Sequence, residues 1–143
     1  MLMKKINIKT NKKFIDITDI IIEWLNKNKC SDGILNIYST HTTCGISIME
    51  DELLSKLDIC IHIETLSPEN DKYNHNRIDL RQVPPNERLN GHSHIWKLYF
   101  SNGESIPVKN GDLLIGKWQR VMLVELDWNK PYRDRTIILT FIN

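Results

Sequence analysis

The second half of the chain consists of short apolar and β-branched runs separated by tight-turn sequences. We predict strands at residues 94–100, 104–107, 113–115, 119–127 and 135–142. Ser101-Asn102-Gly103 and Asn110-Gly111-Asp112 lie between three of these runs, and such Asn-Gly pairs are typical of β-hairpins. Hairpins join antiparallel strands, whereas parallel strands are usually connected by helices. This half of the chain therefore predicts an antiparallel sheet without helices of its own.

The first half of the chain adds two helices to this sheet. Strands are predicted at 2–9, 14–17, 33–39 and 45–49. Thr18 has the residue type of a helix N-cap, and Glu50-Asp51-Glu52 places acidic residues where the dipole of a second helix favours them. The residues spaced to form the buried faces of the helices are Ile20, Ile21, Trp24 and Leu25, then Leu53, Leu54, Leu57 and Ile61. The predicted fold class is α+β, with one large mostly antiparallel sheet and two helices.

Length and charge restrict the class of protein. With 143 residues the chain is one domain, which we place at 1–143. Its formal net charge of +1 gives it no basic excess to attract nucleic acid or an anionic membrane. No apolar run approaches the roughly 20 residues of a membrane span, and the first residues lack the apolar core of a signal peptide. The chain has 3 cysteines and no CxxC pair, so we expect a cytoplasmic protein with reduced thiols.

A polar cluster, His41-Thr42-Thr43, interrupts an otherwise apolar stretch. Hydroxyl groups inside a sheet cost stability unless they bond to the protein or to a ligand. Glu50 follows at a predicted helix start, where a carboxylate can act as a base or a ligand. The structural alternative is that the two threonines are ordinary β-branched strand residues and Glu50 only a favourable charge.

Two further histidines, His92 and His94, are two residues apart. In an extended segment their side chains lie on the same side, because side chains alternate along a strand. Two neutral imidazoles at this spacing could bind a metal together with a third ligand. The alternative is a loop histidine beside a strand histidine.

A basic cluster, Gly116-Lys117-Trp118-Gln119-Arg120, lies near the C-terminus. Lysine and arginine bind phosphate, and tryptophan stacks on planar rings. Arg133 and Arg135 could extend this anion site, whereas the alternative is a solvated basic hairpin. The segment 67–91 is longer than an ordinary connection, which indicates a functional or mobile loop.

These clusters belong to a series of motifs that runs along almost the whole chain. The motifs are His41-Thr42-Thr43 with Glu50, Tyr73-Asn74-His75, His94-Ile95, and Gly111 followed by Gly116-Lys117-Trp118-Gln119, Val121, Leu123 and Glu125. In these motifs and their spacing the chain resembles the YjbQ-like family of small bacterial and archaeal proteins. It differs from the family at three positions. Lys117 stands where the family has threonine, and Asn74 and Asn76 stand where the family has charged residues.

The resemblance implies an α+β fold that assembles as a homotrimer and has a secondary thiamine-phosphate synthase activity. That reaction joins a hydroxymethylpyrimidine pyrophosphate to a thiazole phosphate and releases pyrophosphate. The residues that the resemblance places at the site are His41, Glu50, His75 and His94, with Gln119 and Arg135 as additions. A trimer would also cover the edge strands of a chain so rich in sheet.

Three functional hypotheses follow, and all of them need a small phosphorylated metabolite or another small substrate rather than nucleic acid or a membrane. In a synthase, His41, Glu50 and His94 are catalytic. The substrate-binding residues are then Thr42, Thr43, Lys117, Trp118, Gln119 and Arg135. In a metal-assisted enzyme of unknown substrate, His41, His75 and His94 bind a divalent metal, Mg or Zn, and Glu50 is the base. A non-catalytic module that binds a phosphorylated metabolite is the third hypothesis.

Overall fold

The computed structural model describes residues 1–143 and contains eight strands and three α-helices. The strands are β1 (Leu2–Thr10), β2 (Phe14–Asp16), β3 (Gly33–Ser39), β4 (Cys44–Met49), β5 (Gly103–Lys109), β6 (Asp112–Leu113), β7 (Arg120–Glu125) and β8 (Arg133–Ile142). The α-helices are α1 (Thr18–Lys27), α2 (Leu53–Leu66) and α3 (Gly91–Trp96). None of the three has the length and apolar composition that crossing a bilayer requires.

All strand pairs are antiparallel, which confirms the prediction for the sheet. The hydrogen-bond ladders run in the order β1-β8-β3-β5-β6 and, in a second group, β2-β7-β4. A single bridge between Ile46 and Ser101 links the two groups into one curled surface. Two register pairs position the candidate site, because Cys44 lies opposite Glu125 at one end of β4 and Met49 lies opposite Arg120 at the other end.

Helix α1 covers the main core of the sheet. Ile21, Trp24 and Leu25 are buried in a cluster of 16 residues that includes side chains from both strand groups. The predicted N-cap is wrong, since the cap residue is Ile17 and the carboxylate of Asp16 accepts the bond from the Thr18 N–H at 2.9 Å. The Thr18 hydroxyl instead accepts the backbone N–H of Val121 at 2.8 Å and so attaches the helix start to β7.

Helix α2 begins as predicted but does not bury the predicted face. The carboxylate of Glu52 caps it by accepting the N–H groups of Leu54 and Ser55 at 2.8 and 2.7 Å. Ile63 is its one buried residue, and it belongs to a small core cluster with Trp96, Met122, Val124 and Leu126. The residues predicted to be buried are exposed to 65% (Leu53), 65% (Leu54), 49% (Leu57) and 64% (Ile61). This apolar helix surface is unusual for an isolated chain and is typical of an association surface.

The predicted strand at 94–100 is wrong. Residues Gly91–Trp96 form α3, which continues into a 3-10 turn at Lys97–Tyr99, so the fold has three helices rather than two. Burial explains the difference, because Trp96 is completely buried and its indole N–H donates to the carbonyl of Ser67 at 2.8 Å. Residues two apart on a helix point in different directions. His92 therefore packs on Trp96 while His94 faces His75, and the two do not share a side as predicted.

The long segment 67–91 is tied to the rest of the fold by arginine side chains. Arg88 donates to the carboxylate of Asp127 and to the carbonyl of Asn129, each at 3.1 Å, and to the carbonyl of Pro131. Arg81 donates to the carbonyl of His75 at 3.1 Å and so closes the segment on itself. These bonds place His75 and Asn90 against the ends of β4 and β8.

Candidate functional site

A cavity of about 270 Å³ lies where β4 begins and β8 begins, against α3, and none of its nine lining residues is hydrophobic. Six of them were predicted from the sequence as site residues, namely His41, Thr42, Thr43, His75, His94 and Arg135. Arg133 was expected to extend an anion site, and Glu87 and Asn90 were missed because they lie in the long segment without a recognisable motif. We call this space the histidine–arginine cavity.

A buried ion pair forms the floor of this cavity. Glu125 is fully buried, and both of its oxygens accept bonds from Arg135, with Nε at 2.6 Å from Oε2. Thr10 donates to Oε2 at 2.6 Å, and the N–H of Asp127 donates to Oε1 at 2.8 Å. Burial opposes the charge on Arg135, but the bonds to Glu125 outweigh it and raise the pKa of the guanidinium. A buried pair needs this many partners to offset the loss of hydration.

The same arginine positions the polar residues before β4. Arg135 Nη2 donates to the Thr43 hydroxyl at 3.0 Å, which fixes that side chain at the cavity wall. Its Nη1 atom has no partner in the protein. Nη1 is therefore the edge of the guanidinium that is available to a ligand, and its N–H groups suit an anion.

His41 is held in one tautomer by the backbone. Its Nε2 accepts the N–H of Thr136 at 2.8 Å, so a neutral ring carries its proton on Nδ1. Burial, and then the charge of Arg135, lower the pKa of His41 below its ordinary value. His41 is therefore a neutral imidazole with a hydrogen-bond donor on the ring edge away from β8.

The rings of His75 and His94 are in contact at the cavity wall. Their ring centroids are 4.3 Å apart. Burial and then the neighbouring His75 lower the pKa of His94, because a second positive charge this close is unfavourable. Nη2 of Arg81 lies 3.3 Å from Nε2 of His75 and orients that ring.

These three histidines do not form the metal centre that was predicted. The structure contains no group of three or more His, Cys, Asp or Glu side chains placed to hold one metal ion. Nε2 of His41 accepts a backbone N–H, and Nε2 of His75 lies against Arg81, so neither nitrogen has a free lone pair. The arrangement does not fit a three-histidine metal ligand set.

Asp127 lies outside the lining of this cavity and holds two of its lining residues, Asn90 and Arg133. It accepts bonds from Asn90 Nδ2 at 2.9 Å, Arg88 Nη1 at 3.1 Å and Arg133 Nε at 3.1 Å. Burial raises the pKa of this carboxyl, but these bonds, the one from Arg133 foremost, outweigh burial and leave it below its usual value. The carboxylate therefore stays ionised and holds Asn90 and Arg133 at the rim.

The other predicted site residues lie at the far end of β4 and β7. Glu50 follows Met49, and Lys117, Trp118 and Gln119 precede Arg120, the register partner of Met49. Five strand steps of roughly 3.3 Å separate this end from Cys44, a distance of about 17 Å. Lys117 Nζ lies 4.7 Å from the ring centroid of Trp118, and Gln119 Oε1 accepts the N–H of Gly116 at 2.7 Å. Within one chain these residues do not reach the histidine–arginine cavity.

Comparison with known proteins places this architecture in a family. The model of the family described as UPF0047 protein YjbQ-like matches residues 4–143. The chain belongs to the YjbQ-like family. A UPF0047 protein of Methanothermobacter thermautotrophicus is 30% identical over 137 residues, covering 94% of this chain and 90% of that protein. A UPF0047 protein of Methanocaldococcus jannaschii is 36% identical over 128 residues, covering 86% of this chain and 83% of that protein.

Solved YjbQ-like structures share the whole fold. A hypothetical protein from Aeropyrum pernix K1 has a TM-score of 0.84 at 29% identity, covering 100% of this chain and 99% of that one. A protein of unknown function from Sulfolobus solfataricus P2 has a TM-score of 0.82 at 27% identity, covering 98% of this chain and 95% of that one. Membership of the YjbQ-like family thus establishes the fold and leaves the activity to be inferred from the site.

Glu125→Gln tests the ion pair that forms the cavity floor. The substitution keeps the shape but leaves the Arg135 charge buried without its counter-ion, so we expect a loss of about 3–5 kcal/mol in the free energy of unfolding. Asp79→Asn, which breaks the exposed pair with Arg77, is the matched control and should leave the free energy of unfolding nearly unchanged, because water screens that pair. Denaturant unfolding measures both, and equal small losses would contradict a structural role for the buried pair.

The second prediction concerns the protonation of His94. Its pKa is lowered from 6.5, so the unfolded chain binds this proton more readily, and stability should decline as pH falls below about 6.5. Imidazole resonances followed by NMR should give a midpoint below 6.5 for His94, with His94→Gln assigning the signal. The same variant should lose less stability than the parent between pH 7.5 and 5.5. A midpoint at or above 6.5 would show that the ring is not desolvated as the structure describes.

Proposed function

We propose that this YjbQ-like protein binds a small phosphorylated metabolite in the histidine–arginine cavity and carries out a thiamine-phosphate synthase reaction there. The observation that supports the proposal is the composition of one cavity, in which three histidines and two arginines meet and no hydrophobic residue lines the wall. Such a surface suits a highly charged, well-hydrated ligand rather than an apolar one.

Phosphate oxygens would be recognised by donors that the protein leaves unused. Arg135 Nη1 is one, the Nδ1–H of His41 is the second, and the exposed hydroxyl of Thr42 is the third. The cavity already has these donors in place, so binding needs little rearrangement. Arg133 at the rim adds a positive charge whose partner, Asp127, is shared with Arg88.

His94 is the proposed proton donor. A neutral imidazole becomes a stronger base when an anion binds beside it, because the charged form is then stabilised. In the synthase reaction the bond between the methylene carbon and the pyrophosphate oxygen breaks, and a bond forms from that carbon to the thiazole nitrogen. Protonated His94 would give its proton to the departing pyrophosphate. Mg²⁺ enters this proposal with the pyrophosphate substrate, as its counter-ion.

The test measures thiamine phosphate formation from the two substrates with Mg²⁺. We expect turnover in the parent protein and a loss of about 10²–10⁴-fold in kcat for His94→Gln. His62→Gln, which replaces an exposed histidine on α2, is the matched control and should leave turnover unchanged. Lys117→Thr should also leave it unchanged, because Lys117 lies at the other end of β7.

Failure of the reaction separates the remaining hypotheses. If pyrophosphate binds by calorimetry and Arg133→Gln weakens its binding, while no protein forms product, the site is a non-catalytic module for phosphorylated metabolites. If pyrophosphate does not bind at all, the proposal for this cavity is wrong. Loss of turnover in His62→Gln as well as His94→Gln would also contradict it, since that result points to general damage.

We further propose that the protein is a homotrimer, as the family resemblance implies. The exposed apolar surface of α2, with Leu54 and Ile61, supports association. Light scattering should give three times the chain mass of 16.8 kDa. The double variant Leu54→Asp, Ile61→Asp should lower this mass, whereas Leu80→Asp, at an exposed leucine away from α2, should not. A monomeric parent protein would refute the trimer.

A further inference from the structure

The five-stranded group of the sheet has a second face that remains open to solvent. Along β3 and β8, alternate residues are buried in the main core, and the residues between them point away from it. Directly opposed residues of neighbouring strands lie on the same side, so the register arranges these outward residues in rows. We call this surface the outer sheet face. It consists of the alternate residues from Met3 to Asn7, Ile34 to Tyr38, Gly103 to Pro107 and Thr136 to Ile142.

The middle of the outer sheet face is apolar. Ile34 and Ile142 are register partners and are each 51% exposed, and Tyr38, which is 44% exposed, lies opposite Ile138. The ring of Tyr38 covers Gly103, since a Cβ atom on that glycine would lie 3.0 Å from Cδ2 of the ring. A continuous apolar surface on an open sheet is typical of a contact with another protein chain.

Several polar side chains of the outer sheet face are bonded to one another. Thr136 Oγ1 donates to Asn7 Oδ1 at 2.8 Å, and Asn36 Nδ2 donates to Ser105 Oγ at 3.1 Å. These groups keep their partners when water is removed, so covering them costs less than covering unpaired polar groups. Lys5 is the one charged residue of the face. The face is therefore suited to burial against a largely apolar partner that carries a negative charge.

Helix α2 carries a surface of this description. Leu54, Asp58 and Ile61 follow one another at the spacing of one helix face, and all three are exposed. We call these three residues the α2 stripe. The 14 residues of α2 make a helix about 21 Å long. The 7 residues of β3 and the 10 residues of β8 span roughly 23 and 33 Å. The helix therefore fits within the length of the outer sheet face.

Three-fold symmetry requires two different contact surfaces on every chain. In a two-fold dimer a surface meets its own copy, whereas in a closed ring of three each chain offers one surface to the next chain and another to the previous chain. The α2 stripe supplies one surface of the proposed homotrimer. The outer sheet face matches it in apolar character, in length and in the sign of its single charge.

We infer that the outer sheet face binds the α2 stripe of a second copy of this chain, in a head-to-tail ring. The inference rests on the proposed homotrimer and names the two surfaces that form it. Thr136 belongs to the outer sheet face, and its N–H donates to His41 at 2.8 Å. A neighbour docked across this face therefore lies beside the edge of the histidine–arginine cavity, so assembly and the candidate site are adjacent.

Two variants of the full chain test this arrangement. Ile34→Glu with Ile142→Glu places charges in the outer sheet face, and Leu54→Asp with Ile61→Asp places charges on the α2 stripe. Each variant keeps one intact surface, so each alone should have the single-chain mass of 16.8 kDa in light scattering. Their mixture should form a species of twice that mass, because the intact α2 stripe of one variant binds the intact outer sheet face of the other. The added charges have the same sign, so the altered surfaces do not attract each other.

Ile78→Glu with Leu80→Glu is the matched control. It adds the same charge at two exposed apolar residues of the segment 67–91 and should remain trimeric. The mixture is measured at about 0.5 mM of each chain, because a single contact binds more weakly than a closed ring. If circular dichroism shows that Ile34→Glu with Ile142→Glu does not fold, Tyr38→Glu in the same face takes its place.

Either variant remaining trimeric would overturn the inference, because the altered surface would then lie outside the contact. A mixture that contains only single chains would also overturn it, since the two intact surfaces would then not bind each other. A monomeric parent protein would refute the homotrimer itself. The mass of the parent therefore distinguishes failure of this inference from failure of the proposed assembly.

Discussion

The buried pair of Glu125 and Arg135 is the interaction on which the candidate site depends. Glu125 ends β7 in one strand group, and Arg135 lies on β8 in the other, so the pair joins the two groups at their seam. Thr10 and Thr43 complete it from β1 and from the turn before β4. Apolar residues can often replace a buried ion pair without loss of stability. Its use here is positional, because it holds Thr43 and directs Nη1 of Arg135 to the cavity.

Burial also determines the chemistry of the histidines around this pair. His41 and His94 are kept neutral by desolvation and by neighbouring positive charge, yet both remain at the surface of a polar cavity. A bound anion raises the pKa of such a histidine, because it stabilises the protonated imidazole that burial disfavours. Asp127 extends the network to Asn90 at the cavity wall.

Local sequence patterns predicted the strands well and the helix surfaces poorly. Strand alternation and the Asn110-Gly111 turn depend on neighbouring residues, and these parts of the prediction are confirmed, since β5 and β6 pair across that turn. The predicted hairpin at Ser101-Asn102-Gly103 is wrong, because a 3-10 turn and not a strand precedes it. Two errors arose where distant contacts decide the outcome. Residues 94–100 have strand-like composition, but Trp96 bonds to Ser67 and packs in the second core, which requires a helix there. Leu54 and Ile61 have helical spacing, but the chain itself supplies no surface to cover them.

The sequence by itself determined the family, the antiparallel class and the residue types of the site, including His41, His75, His94 and Arg135. Only the tertiary structure decided which of these residues meet. Strand pairing determines which residues meet, because the register of β4 on β7 places Cys44 beside Glu125 and Met49 beside Arg120. Glu50 and the basic cluster are thereby placed at the opposite end of β4 from Cys44, a separation of five strand steps or about 17 Å. Spacing along the chain contains no such information, since pairing depends on residues more than 70 positions apart.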